Sequence, residues 1–132
     1  MAETTRPLLD KLGVKPGSRV ALLDVDQPWF TKLLRERTRD VVEGKPRTPC
    51  DLVFVGAASR AAALESLKRV KAWIEPNGAI WVIRPKGPLT SLKDTDLIQA
   101  GLDAGLVDNK IASFSETHSV MRFVFRLRDR PK

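Results

Sequence analysis

Asp24 and Asp26 stand two residues apart, directly after an apolar run. Carboxylates at that spacing can divide general-acid and general-base duty, or hold a cation. The plainer reading makes Asp26 a helix cap and Asp24 a turn residue, and capping alone accounts for Asp26. A second set, Gly56, Ala57, Ala58, Ser59 and Arg60, follows the apolar run at 52–55. Small residues there leave room for a ligand, and the next helix offers N–H groups to an anion. The plainer reading is a short loop with a serine cap. Arg84 and Lys86 follow the next apolar run and would join Arg60 in a basic rim on the same edge. The candidate binding residues are therefore Asp24, Asp26, Gly56, Ser59, Arg60 and Arg84, and no residue is assigned a catalytic role.

His118 is the only histidine and Cys50 the only cysteine. That excludes an internal disulfide and a cysteine metal cluster, and leaves little for a zinc or iron site, so no metal is expected. His118 reads as a turn histidine rather than a base, because nothing nearby resembles a nucleophile elbow. Cys50, just before an apolar strand, reads as a small buried residue. Trp29, Trp73 and Trp81 lie in or beside apolar stripes and read as core or interface, with Trp73 expected to be partly exposed. Arg122, Arg126 and Arg128 share one face of the last strand at period two. They could offer a strip to an acidic partner or a nucleic-acid backbone, but the solvated end of a twisted strand is the preferred reading.

These residues need elements to position them. Residues 50–85 run apolar, then small, then with helical period, then Pro76-Asn77-Gly78, then apolar again. That is a strand, a crossover helix, a turn and a second strand, which demands a parallel pair and a right-handed crossover. Ser59 caps the helix, and Ala63, Leu64, Leu67, Val70 and Ile74 form its apolar stripe. Upstream, 5–12 read as a short helix with Pro7 in its first turn and Gly13 ending it. Residues 19–23 form a first strand, and a helix follows with Asp26 as cap, Pro28 just inside it, and Trp29, Phe30, Leu33 and Leu34 at helical spacing. Val41 and Val42 could add a short edge strand before a loop at 43–49. Downstream, Asp94 or Thr95 opens a helix whose sheet-facing side is Leu97, Ile98, Gly101 and Leu102. Gly101 suggests close approach to a strand, and Gly105 ends the helix. Residues 107–114 and 120–128 form an antiparallel hairpin. The fold class is α/β: a single, open, mostly parallel Rossmann-like sheet of about five strands, with helices on both faces and an antiparallel C-terminal hairpin. Its last strand inserts beside the third.

At 132 residues with 42% hydrophobic content, the whole of 1–132 reads as one domain. No apolar run approaches a membrane span, and the N-terminus lacks a signal peptide's basic start and apolar segment, so a cytoplasmic protein without a membrane partner is expected. The net charge of +7 could serve a nucleic acid, an anionic ligand or an acidic partner. The basic residues are spread and mixed with acids, so an ordinary solvated surface is the preferred reading.

The stretches Asp51-Leu52-Val53-Phe54-Val55, Ile74-Glu75-Pro76-Asn77-Gly78-Ala79-Ile80-Trp81-Val82 and Ala104-Gly105-Leu106 resemble the second half of a Rossmann-like S-adenosylmethionine-dependent methyltransferase. They match, in turn, the family's fourth strand, the Pro-Gly turn into its fifth, and the passage before its sixth. The resemblance covers 13–128 loosely and 50–128 best, and it implies the fold more than an activity. Where the family has a glycine-rich cofactor turn after its first strand, this chain has Val25-Asp26-Gln27-Pro28-Trp29. Where the family has second and third strands, the former ending in the acidic residue that holds the ribose, this chain has too few residues. That edge of the sheet reads as deleted or shrunk to Val41-Val42, so both halves of the family's grip on its cofactor depart from the family pattern. With its Leu-Gly-Val-Lys-Pro-Gly opening and Ser-Phe-Ser-Glu-Thr-His-Ser hairpin, the chain also resembles a family of small bacterial domains of unknown function.

The expectation ranked first is thus a non-catalytic binding or interaction module on a degenerate methyltransferase-like fold, with a protein partner or self-association. Ranked second is an enzyme using S-adenosylmethionine or a nucleotide at the carboxyl edge of the sheet, a cofactor not favoured at this point. Ranked third is a basic nucleic-acid-binding domain.

Overall fold

The computed structural model describes residues 7–86 and 92–126. Six strands form one sheet in the order β2-β1-β3-β4-β6-β5. They are β1 (Val20–Leu23), β2 (Val41–Glu43), β3 (Cys50–Gly56), β4 (Ile74–Pro85), β5 (Leu106–Ser113) and β6 (His118–Phe125). Strands β2, β1, β3 and β4 run parallel, and β6 pairs antiparallel with both β4 and β5. The expected order of the five longer strands is met, with the last strand lying beside β4. Val41 and Val42 do join the sheet, opposite Val20 and Ala21, and Glu43 extends them opposite Leu22.

Four helices cover the sheet: α1 (Leu8–Leu12), α2 (Pro28–Arg37), α3 (Arg60–Val70) and α4 (Asp94–Asp103). Alternation along the strands separates two cores. Ala21, Val53, Val55, Ile80, Val82, Met121 and Phe123 face α3 and α4. Val20, Leu22, Phe54, Trp81 and Ile83 face α1 and α2. In the second core Phe30 of α2 stands edge-on to Phe54 at 4.9 Å and to Phe114 at 4.7 Å between ring centroids. The buried indole of Trp81 donates from Nε1 to the Leu12 carbonyl at 3.0 Å, which ties α1 to the middle of the sheet.

Several local expectations change. The first helix starts at Leu8, with Pro7 before it rather than inside its first turn; residues 5 and 6 lie outside the described residues. Gly13 ends that helix at φ 79° as expected. Pro76-Asn77-Gly78 does not interrupt a strand: β4 passes through it, with a register shift opposite Cys50 and Leu52. On α4, Leu97, Ala100 and Gly101 are buried, whereas Leu102 is exposed. Gly101 does approach a strand: a Cβ there would collide with the ring of Phe123. Trp73 is buried, and Trp29 is the exposed tryptophan, at 45%. Trp29 sits on the flank of the α2 stripe, whose centre is Phe30 and Leu34. Of the three alternating arginines, Arg122 lies on β6, Arg126 just beyond it, and Arg128 outside the described residues.

Among the described residues, no helix is long and apolar enough to cross a membrane.

Candidate functional site

The chain leaves β1 for β2 on one side and returns to β3 on the other. That reversal is the switch point at which open α/β sheets leave a crevice beyond their carboxyl ends. The turn from β1 into α2 carries Asp24, Val25, Asp26 and Gln27 into the crevice, and the turn after β3 carries Gly56, Ala57 and Ala58. Because β6 runs antiparallel to β4, its first residue, His118, pairs with Pro85 and joins the same edge. Together these residues line a cavity of about 250 Å³. A neighbouring hollow shares Asp24, Val25 and Asp26 and continues past Leu22 and Leu23 to Glu43 and Gly44 at the end of β2.

Asp24 has φ 57°, the one described non-glycine residue in the left-handed region. Aspartate tolerates that conformation better than most residues. The turn thus makes its left-handed step without a glycine. A glycine does serve the site, but from β3: the Asp24 carbonyl fills the space that a Cβ on Gly56 would take.

Asp26 does not cap α2. Gln27 precedes the helix, no side chain caps it, and Pro28 occupies its first turn. Gln27 Oε1 instead accepts from Trp29 Nε1 at 3.0 Å. The Asp26 carboxylate is thereby left on the wall of the two hollows.

Ser59 accepts from the Ala62 N–H at 3.2 Å and caps α3. Arg60, next to it, lies 3.7 Å from Asp103 of α4. Arg84 is buried, with its side chain on the α3/α4 side. Its Nη1 donates to the Leu92 carbonyl at 3.0 Å, its Nε to Ser119 Oγ at 3.3 Å, and its Nη2 pairs with Asp94. Burial lowers its pKa from the usual arginine value. Lys86 Nζ donates to Ser113 Oγ at 2.8 Å. The expected basic rim is therefore not assembled: each of its cations has a protein partner, and Ser59, Arg60 and Arg84 do not line the cavity that holds Asp24, Asp26 and Gly56.

Two residues join the site that sequence reasoning set aside. His118, a turn histidine by sequence, begins β6 and lines the cavity. Glu43, a loop residue by sequence, ends β2 and faces the hollow beside Asp24 and Asp26, with Arg35 Nη2 at 3.4 Å. The sequence signal for Glu43 was there: an apolar pair, an acid, then Gly44, which takes φ 93° and returns its N–H to the Leu22 carbonyl at 2.7 Å. Among the described residues no group of three or more histidine, cysteine, aspartate or glutamate side chains is placed to hold a metal ion.

No protein-family model and no curated protein sequence matches the chain. Solved structures do. A complex of DhpI with S-adenosylhomocysteine superposes with TM-score 0.65 at 13% identity, over 96% of this chain and 87% of that one. A SAM-dependent methyltransferase from Aquifex aeolicus gives 0.63 at 15%, over 89% and 87%. Aeropyrum pernix fibrillarin, with natively bound S-adenosyl-L-methionine, gives 0.55 at 12%, over 84% and 68%. The chain shares the fold of these S-adenosylmethionine-dependent methyltransferase structures.

Proposed function

We propose that this protein binds an adenosyl ligand of the S-adenosylmethionine class at the carboxyl edge of its sheet. The observation that carries the reading is Glu43 at the end of β2, sharing one hollow with Asp24 and Asp26. A carboxylate at a strand end beside a concave edge can accept both hydroxyls of a ribose. The residues fit such a group in a second respect. Asp24 and Asp26 on this edge repel a phosphate, at roughly 1 to 3 kcal/mol for each pair of charges about 5 Å apart, while Glu43 has Arg35 as its counter-ion. The same carboxylates attract a sulfonium or ammonium group. A dinucleotide or nucleoside phosphate is thus a poor match, and an adenosyl sulfonium a good one. When bound, such a ligand supplies an electrophilic methyl group.

By sequence an interaction module comes first, because both halves of the cofactor grip depart from the family pattern. Glu43 and the left-handed turn at Asp24 supply counterparts to both, which supports reversing that order. The fold neighbours, two of which hold this ligand class, point the same way. In this reading Glu43 holds the ribose, Asp24 and Asp26 face the cationic part, and Gly56 keeps the Asp24 turn in place. Ser59, Arg60 and Arg84 serve by fixing the helices around the edge.

Thermal unfolding with ligand tests the reading. S-adenosylhomocysteine at a hundred times its Kd adds about 2.7 kcal/mol of stability and raises Tm by several degrees. ADP and NAD at the same concentration leave Tm unchanged. A rise with ADP and none with S-adenosylhomocysteine contradicts it.

A further inference from the structure

The hairpin between β5 and β6 carries a chain of hydrogen bonds that ends on the cavity. Ser115 Oγ accepts from the backbone N–H of Thr117 at 3.3 Å and from that of His118 at 3.1 Å. A hydroxyl has two acceptor lone pairs and one proton to donate. Both lone pairs of Ser115 are thereby used. Its remaining contact, to Thr117 Oγ1 at 3.3 Å, has Ser115 as the donor. Thr117 Oγ1, having accepted from Ser115, has its own proton to give, and His118 Nδ1 lies 2.8 Å away. Hydroxyls that donate in sequence polarise one another and strengthen the next bond in line. The two backbone amides make Ser115 the donor to Thr117, and the arrangement in which every hydroxyl both accepts and donates within the hairpin then runs Ser115 to Thr117 to His118.

We infer that neutral His118 is held with its proton on Nε2 and acts as a hydrogen-bond donor toward a carboxylate group in the cavity. With Nδ1 accepting from Thr117, Nε2 is the ring nitrogen left for a ligand. The charged side chains of that cavity are Asp24 and Asp26, which suit a cation. A donor on one wall and two carboxylates on another match a group that carries a carboxylate and an ammonium on neighbouring atoms, that is, an α-amino acid. At about 250 Å³ the cavity is smaller than the roughly 300–1,000 Å³ that encloses a whole ligand. It suits such a tail, with the rest of the molecule lying along the hollow toward Glu43. The assignment rests on the adenosyl-ligand reading and specifies which part of that ligand His118 touches.

The chain has one histidine, so its imidazole gives a single set of nuclear magnetic resonance signals. Long-range proton–nitrogen correlation on the 15N-labelled protein, at a pH where the ring is neutral, identifies the protonated nitrogen. The expected result is a proton on Nε2 in the wild type and in Thr117→Ser, and a mixture of tautomers in Thr117→Val. A proton on Nδ1 in the wild type overturns the inference. Calorimetry with two probes tests the ligand contact: S-adenosylhomocysteine, which has the amino-acid tail, and 5′-methylthioadenosine, which lacks it. The wild type prefers the former, and His118→Phe narrows that preference about ten- to hundredfold, the worth of one hydrogen bond to a charged group. Equal binding of both probes by the wild type overturns the His118 assignment and leaves the adenosyl reading standing. Failure of both probes to bind overturns both, while the tautomer result still judges the hydrogen-bond chain on its own.

Discussion

The carbonyl oxygen of Asp24 fills the space that a side chain on Gly56 would occupy. Two turns of the carboxyl edge, one after β1 and one after β3, are thus in backbone contact where an open sheet places its ligand. The shape of the cavity depends on that contact as much as on the polar groups in its walls.

Gly56→Ala drives a methyl group into the Asp24 carbonyl, and rigid backbone meets it on that side. Overpacking of this kind costs about 1–3 kcal/mol. Urea denaturation should show that loss, and affinity for S-adenosylhomocysteine should fall with it, because the turn that carries Asp24 and Asp26 must move.

Asp24 itself separates backbone from charge. Its φ of 57° is natural for glycine and strained for a β-branched residue. Asp24→Val should lose about 1–2 kcal/mol of stability. Asp24→Gly should keep stability within about 1 kcal/mol of the parent, while binding weakens because the carboxylate has gone. Chemical denaturation and calorimetry on the same two variants distinguish the effects.

Arg84 joins the end of β4 to the start of α4 through Leu92 and Asp94. Arg84→Met keeps most of the volume but leaves the Leu92 carbonyl without this donor. Stability should fall by about 2–3 kcal/mol, toward the low end for a broken buried pair because Asp94 is itself largely exposed. The ligand contacts proposed for Asp24 and Glu43 are elsewhere, so affinity measured well below Tm should change less than twofold. A large loss of affinity with unchanged stability would instead put Arg84 in the site.

Cys50 is buried beside Asp40 and Asp51, and burial first, then those carboxylates, raise its thiol pKa to about 11. In the unfolded chain the thiol gives up its proton near the ordinary thiol value of 9.0. The folded state therefore holds a proton that the unfolded state has lost between pH 9 and 11, and stability contributed by this group declines across that window. Alkylation by iodoacetamide, which needs the thiolate, should be slow at pH 8 in the folded protein and fast in urea.

The parts of the fold that were legible in the sequence are those where length and period agree. The run 52–55, the stripe of Ala63, Leu67 and Val70, and the apolar run 79–83 can only be a βαβ unit, and Gly101 betrayed its packing against Phe123. Strand β2 was not legible as part of the site, because three residues are too few to establish a period, and Glu43 followed it into the loop. The Asp26 cap failed because Pro28 set the start of α2, leaving the preceding residue, Gln27, as the boundary. Arg84 looked like a rim cation because its partners, Leu92 and Asp94, lie beyond a break at Pro85 and Pro88 in the sequence. His118 was placed by a strand pairing with Pro85 that only the tertiary fold creates.

The central claim is tested most directly by isothermal titration calorimetry of S-adenosylhomocysteine into the wild-type protein and into Glu43→Ala. The account predicts micromolar binding at one site in the wild type and a loss of about tenfold or more in the variant, the worth of charge-assisted hydrogen bonds to a ribose. No heat at millimolar ligand, or equal affinity in the two proteins, would contradict it.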